Sequence, residues 1–161
     1  MLAVCLDSNC NKAITYLNIN VTDIREISLP SRIESVEEAA MTADEFAKSC
    51  GFGDEVIFAV DLAIRESVAN AVKHGNKFDE TKNVDITFAD RADGFAITVR
   101  DFGTGFAVED IPDPTNPENL LKTNGRGILF MRSFMDEVEW ENPAGGGLIV
   151  KMLKKKVTGD K

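Results

Sequence analysis

A glutamate and an asparagine, Glu66 and Asn70, stand four residues apart in the stretch RESVANAVKHG at residues 65–75. On a helix that spacing puts two side chains on one face, a turn apart. The two polar side chains then project together. Lys73 and His74 continue the polar row a turn later, and Gly75 follows where a helix should stop. Alone, the pattern reads first as a solvated helix face beside an apolar stripe. Further on, RDFGTGF at residues 100–106 enters D-x-G-x-G at the end of an apolar strand. Gly103 and Gly105 let backbone come close to a flat ligand, and the Asp101 carboxylate can accept a hydrogen bond from an amino group such as the exocyclic amine of adenine. A third stretch, TNGRGILF at residues 123–130, sets Gly125 and Gly127 ahead of a helix. The free N–H groups and positive dipole end of such a helix can hold phosphate oxygens. Singly, the second stretch reads as well as a turn after a strand and the third as a glycine-bearing helix start. Their order and spacing together are much harder to reach by accident.

These groups need elements to position them. Ile57, Val60, Ile64, Val68 and Val72 recur at three-to-four-residue spacing and predict a helix, capped by Asp54 and stopping near Gly75. Before it, REISLP at residues 25–30 reads as a short strand ended by Pro30. Ser31 is then an N-cap candidate with Glu34 three residues on, opening a helix to about Cys50 that CGFGD breaks. After Gly75 the period changes to two. NVDITFAD and GFAITVRD are strands around the turn signal RADG at residues 91–94. From Asp101 to Arg126 the chain is rich in Gly, Pro and Asn, a connection long enough to be a lid or ligand-binding loop. GILFMRSF has helical spacing, and DEVEWEN and GLIVKMLKK form a second hairpin around PAGGG. The expected fold is α+β: a two-layer α/β sandwich whose mixed, mostly antiparallel sheet carries helices on one face. Residues 1–24 read as an N-terminal extension, either disordered or holding a strand around Ala13 to Val21. Residues 25–156 form the domain, and residues 157–161 a frayed tail.

A chain of 161 residues with 43% hydrophobic content suits one domain with a real core. The net charge of −9, from 18 Lys plus Arg against 27 Asp plus Glu, disfavours unspecific attraction to nucleic acid or anionic lipid. Cys5, Cys10 and Cys50 match no metal-ligand or C-x-x-C spacing and read as reduced thiols of a cytoplasmic protein. No segment approaches the roughly 18 apolar residues of a membrane span, and the start lacks the basic region of a secretory signal.

E-x-x-x-N-A-x-x-H-G, then D-x-G-x-G, then G-x-G before a helix, resembles the N, G1 and G2 boxes of the GHKL (Bergerat-fold) ATPase superfamily, from about Glu26 to Lys154. RESVANAVKHGN and GRGILFMRSFMDEVEW look most like the small bacterial anti-sigma-factor serine kinases. The resemblance implies ATP and Mg²⁺ as cofactors, Glu66 as general base and Asn70 as Mg²⁺ ligand. It implies Asp101 as the adenine-reading carboxylate, with Gly103, Gly105 and Phe106 beside base and ribose. Thr123, Gly125, Gly127 and Ile128 fall in the phosphate lid, where Arg126 is an extra cation without a fixed family counterpart. Lys73 either touches phosphate or is solvated, and His74 with Gly75 fits the end of the helix, His74 more by packing than by catalysis. The resemblance further implies a small antagonist protein as phosphorylation substrate, a sigma factor as sequestered partner, and a homodimer without direct nucleic-acid or membrane binding. A nucleotide-gated binding module without turnover is the alternative. A histidine-kinase fragment is disfavoured because the single histidine, His74, lies inside the nucleotide motif. The acidic, proline-bearing segment VEDIPDPTNPEN departs from the family pattern.

Overall fold

The structure, a computed structural model, describes residues 21–105 and 126–156. Its elements are β1 (Val21–Pro30), α1 (Glu34–Ser49), α2 (Asp54–Asn70) with a π-helical turn (Ala71–Gly75), β2 (Asn83–Arg91) and β3 (Gly94–Arg100). They continue with α3 (Arg126–Phe134), β4 (Glu137–Glu141) and β5 (Ile149–Lys155). The strands form one sheet in the order β1-β2-β3-β5-β4. Every pairing among the described strands is antiparallel, so the mixed, mostly antiparallel expectation resolves to a purely antiparallel sheet there.

Alternation decides which sheet face is dry. Val84, Ile86 and Phe88 on β2 lie opposite Leu29, Ile27 and Arg25 on β1, and Ile86 and Phe88 face Val99 and Ile97 on β3. Val99 and Ile97 in turn face Val150 and Met152 on β5. Onto this apolar face pack Ala39, Ala43 and Phe46 of α1 and Val60, Ile64 and Val68 of α2, all buried. Small alanines on α1 let the helix lie close while Phe46, Phe88 and Phe95 fill the centre with ring centroids 5.8–6.3 Å apart.

Three local expectations are corrected. β1 begins at Val21, four residues before the predicted REISLP strand, because its N-terminal half pairs with β2 up to Arg91. Ser31 does not cap α1: its hydroxyl donates to the Lys82 carbonyl at 2.6 Å, and the residue is fully buried. The preceding turn is tied instead by Ser35, whose hydroxyl donates to the Pro30 carbonyl at 2.7 Å. Asp54 is the first residue of α2 rather than its cap; Gly53 takes the cap position, and Asp54 and Glu55 place acidic charge at the positive end of the helix. The possible strand before Val21, the long loop up to Gly125 and the tail at residues 157–161 lie outside the described residues, apart from the loop's first five residues.

Candidate nucleotide site

The apolar stripe of α2 is buried against the sheet, which turns its polar row toward an open cleft of about 320 Å³ between α2, the start of α3 and the ends of β3 and β5. Glu66, Asn70, His74 and Gly75 line it from the helix and π turn, Asp101 and Gly105 from beyond β3, and Gly127 and Ile128 from α3. Eight residues singled out by sequence, far apart in the chain, thus converge on one space. His74 is exposed at the cleft and not packed in the core, which corrects the packing expectation. Lys73 is exposed and does not line the cleft. Gly103 lies behind it, with its Cα against the Gly75 carbonyl. Phe106, Thr123 and Gly125 lie outside the described residues, and Arg126 is the first residue of α3.

Asp101 is the most constrained group. It is 3% exposed. Its backbone N–H donates to the Leu148 carbonyl at 3.0 Å, fastening the end of β3 to the β4–β5 loop. Its Oδ1 accepts the Gly103 N–H at 3.0 Å. Its other oxygen lies against Gly75: a Cβ on that glycine would stand 2.4 Å from Oδ2 and 2.3 Å from Cγ. Burial raises the Asp101 pKa above the usual carboxylate range, with the Gly103 N–H opposing the shift. A buried carboxylate with one oxygen engaged and flanked by apolar Val99, Leu148 and Val150 is arranged to accept from a flat, amino-bearing ligand.

At the opposite end Glu66 meets α3. A Cβ on Gly127 would stand 1.6 Å from Glu66 Oε1, so the glycine is what allows the helix start and the carboxylate to touch. Gly127 and Ile128, in the first turn of α3, line the cleft at a helix end whose backbone N–H groups have no intrahelical partner. As to a cation, the described residues contain no group of three or more His, Cys, Asp or Glu side chains able to hold one. The Asn70 side chain, lining the cleft with Glu66, carries a hard oxygen donor of the kind that would suit Mg²⁺.

Sequence reasoning missed Trp140, Met131 and Leu148, which also line the cleft, and Asn76 behind it. Trp140 was legible only as an alternating strand residue; its register opposite Val150 brings it to the cleft.

The profile of the histidine kinase-like ATPase domain matches residues 29–154. This chain belongs to the histidine kinase-like ATPase family. Family members to which it is similar include serine-protein kinase RsbW of Oceanobacillus iheyensis, 30% identical over 129 residues, covering 76% of this chain and 82% of that one. Serine-protein kinase RsbW of Bacillus subtilis is 28% identical over 132 residues, covering 78% and 82%. The crystal structure of the RsbU and RsbW domains of Rv1364c from Mycobacterium tuberculosis matches with a TM-score of 0.62 over 83% of this chain and 32% of that one. At 19% identity that likeness speaks for the fold alone.

Proposed function

We propose that this chain is an ATP-dependent serine-protein kinase that phosphorylates a small antagonist protein and, when free of it, sequesters a sigma factor. The observation that carries the reading is the convergence of Glu66, Asn70, Asp101 and the glycine start of α3 on one cleft. The relatives' name, serine-protein kinase, supports the reaction class. Asp101 selects the base, the α3 N-terminus binds phosphate oxygens, and a Glu66 carboxylate oxygen accepts the proton of the attacking serine hydroxyl as its oxygen bonds the γ-phosphorus and the bond to the β,γ-bridging oxygen breaks, releasing ADP. Asn70 would hold Mg²⁺, which neutralises phosphate charge when bound. Phosphoryl transfer asks little else of a protein than placement and charge, so one carboxylate base suffices. Lys73, Phe106, Thr123, Gly125 and Arg126 complete this reading as nucleotide contacts.

The domain spans residues 25–156 and works in the cytoplasm as a homodimer. The chain's net charge of −9 and the absence, among the described residues, of a helix long and apolar enough to cross a membrane accord with protein partners.

The Glu66→Ala variant tests the reading. It keeps Mg-ATP affinity within a few-fold while antagonist phosphorylation falls by about 10²–10⁴-fold, the usual weight of a general base. Affinity purification of that variant with ATP should retain a sigma factor; equal turnover in the variant removes Glu66 as base.

A further inference from the structure

Behind the cleft, one buried side chain joins three elements at the point where Asp101 must be held. Asn76 is 2% exposed. Its Nδ2 donates to Ser31 Oγ at 2.7 Å and to the Asn83 carbonyl at 2.9 Å, while its Oδ1 accepts the Phe102 N–H at 2.8 Å. Both amide protons and the carbonyl are thus used, in a region where an unmet group is costly. The Phe102 N–H belongs to the peptide formed by the Asp101 carbonyl carbon. Asp101 is therefore pinned on its N-terminal side by Leu148 and on its C-terminal side by Asn76.

The π turn places Asn76 there. Its N–H reaches back five residues to the Ala71 carbonyl at 2.7 Å, where an α-helix would reach four. The extra residue in the turn sets Gly75 against the Asp101 carboxylate and Asn76 into the interior behind it. Directly afterwards Lys77 and Phe78 both take left-handed backbone, with φ of 54° and 59°. Left-handed backbone at two successive non-glycine residues is uncommon.

We propose that Asn76 is a positioning residue for Asp101, fixing the peptide between residues 101 and 102 so that the carboxylate meets the 6-amino group of adenine, and that it thereby sets the base selectivity of the kinase. The proposal rests on the reading that Asp101 receives that amine. Without Asn76 the Phe102 N–H turns toward water and the Asp101 peptide is held on one side only. Contacts to the triphosphate, made by α2 and α3, are unchanged. The loss therefore falls on discrimination between bases, not on phosphate binding.

The test compares Mg-ATP with Mg-inosine triphosphate, which carries an oxygen in place of the amine, by calorimetry on the full chain. The Kd ratio of the two ligands falls roughly tenfold or more in Asn76→Ala, while inosine triphosphate affinity stays within about a factor of two. Ser31→Ala removes a partner of Asn76 but leaves the Phe102 link, and it keeps the wild-type ratio. A wild-type ratio in Asn76→Ala, or an equal collapse in Ser31→Ala, overturns the proposal. Should Asn76→Ala not fold, Asn76→Ser serves with the same expectation. In the unmodified chain the Phe102 amide is protected from hydrogen exchange without nucleotide; free exchange there also overturns it. Asp101→Asn separates the two layers: if it leaves the ratio intact, the adenine reading fails and takes the role of Asn76 with it, whereas a ratio lost only in Asp101→Asn refutes Asn76 alone.

Discussion

Gly127 has no room for a side chain, and what would meet it is the far end of Glu66. Because that end is flexible, Gly127→Ala moves the carboxylate more than it unsettles the fold. A displacement of about 1 Å at a reacting group costs about 10²-fold in rate. We expect phosphoryl transfer in Gly127→Ala to drop by about that factor, measured by single-turnover kinetics, with the midpoint of thermal unfolding little changed. Asp101 behaves differently because it is buried and its pKa is raised. A raised folded-state pKa means that the folded chain holds the proton more tightly than the unfolded one. Its contribution to stability is full below the unfolded pKa and is lost as pH rises through the folded value. Denaturant titrations across the acid range should show the wild type losing stability relative to Asp101→Asn as pH rises, and a flat difference would contradict the burial effect. Glu66 and Asp101 were both legible from residue type and spacing. Asn76 was not: an asparagine after His-Gly reads as turn chemistry, and its value comes from three partners brought together by β1, β2 and β3.

At the scale of elements, period did most of the work. The three-to-four spacing of Val60, Ile64 and Val68 and the alternation of Val84, Ile86 and Phe88 coincide with residues that are buried. Caps were less legible, since Ser31 satisfies the local S-x-x-E pattern but meets the Lys82 carbonyl across the fold. The π turn left no trace in the pattern because one inserted residue in five is shorter than any window that detects periodicity. Strand β4 offers a direct measurement. Trp140 is the single tryptophan and lines the cleft, with Arg132 over its ring at 5.0 Å from the centroid. Titration with Mg-ATP should change its emission and saturate at the calorimetric Kd; constant emission through saturation would place the nucleotide elsewhere.

At the scale of the molecule, β1, ten residues long, is an edge strand among the described residues, with Val21 and the half-exposed Ile24 along it. Long edges carrying apolar residues invite pairing with another chain. Homodimerisation through this region accords with that property, and light scattering at micromolar concentration should give twice the chain mass. Ile24→Lys, a charge placed on the edge, should shift the equilibrium toward monomer. A monomeric wild type at that concentration refutes the assembly.

By itself the sequence determined the order of elements, the dry faces of α2, β2 and β3, and the carboxylates and glycines of the cleft, because these rest on local period and on residue chemistry that needs no distant partner. Only the tertiary structure decided that Ser31 turns inward, that a widened turn follows Asn70, and that Asn76 and Trp140 stand at the site. Ser31 and Asn76 turn toward groups brought from elsewhere in the chain and Trp140 is placed by its register on β5, and a group's competition between local and distant partners is resolved only when the chain has closed around it.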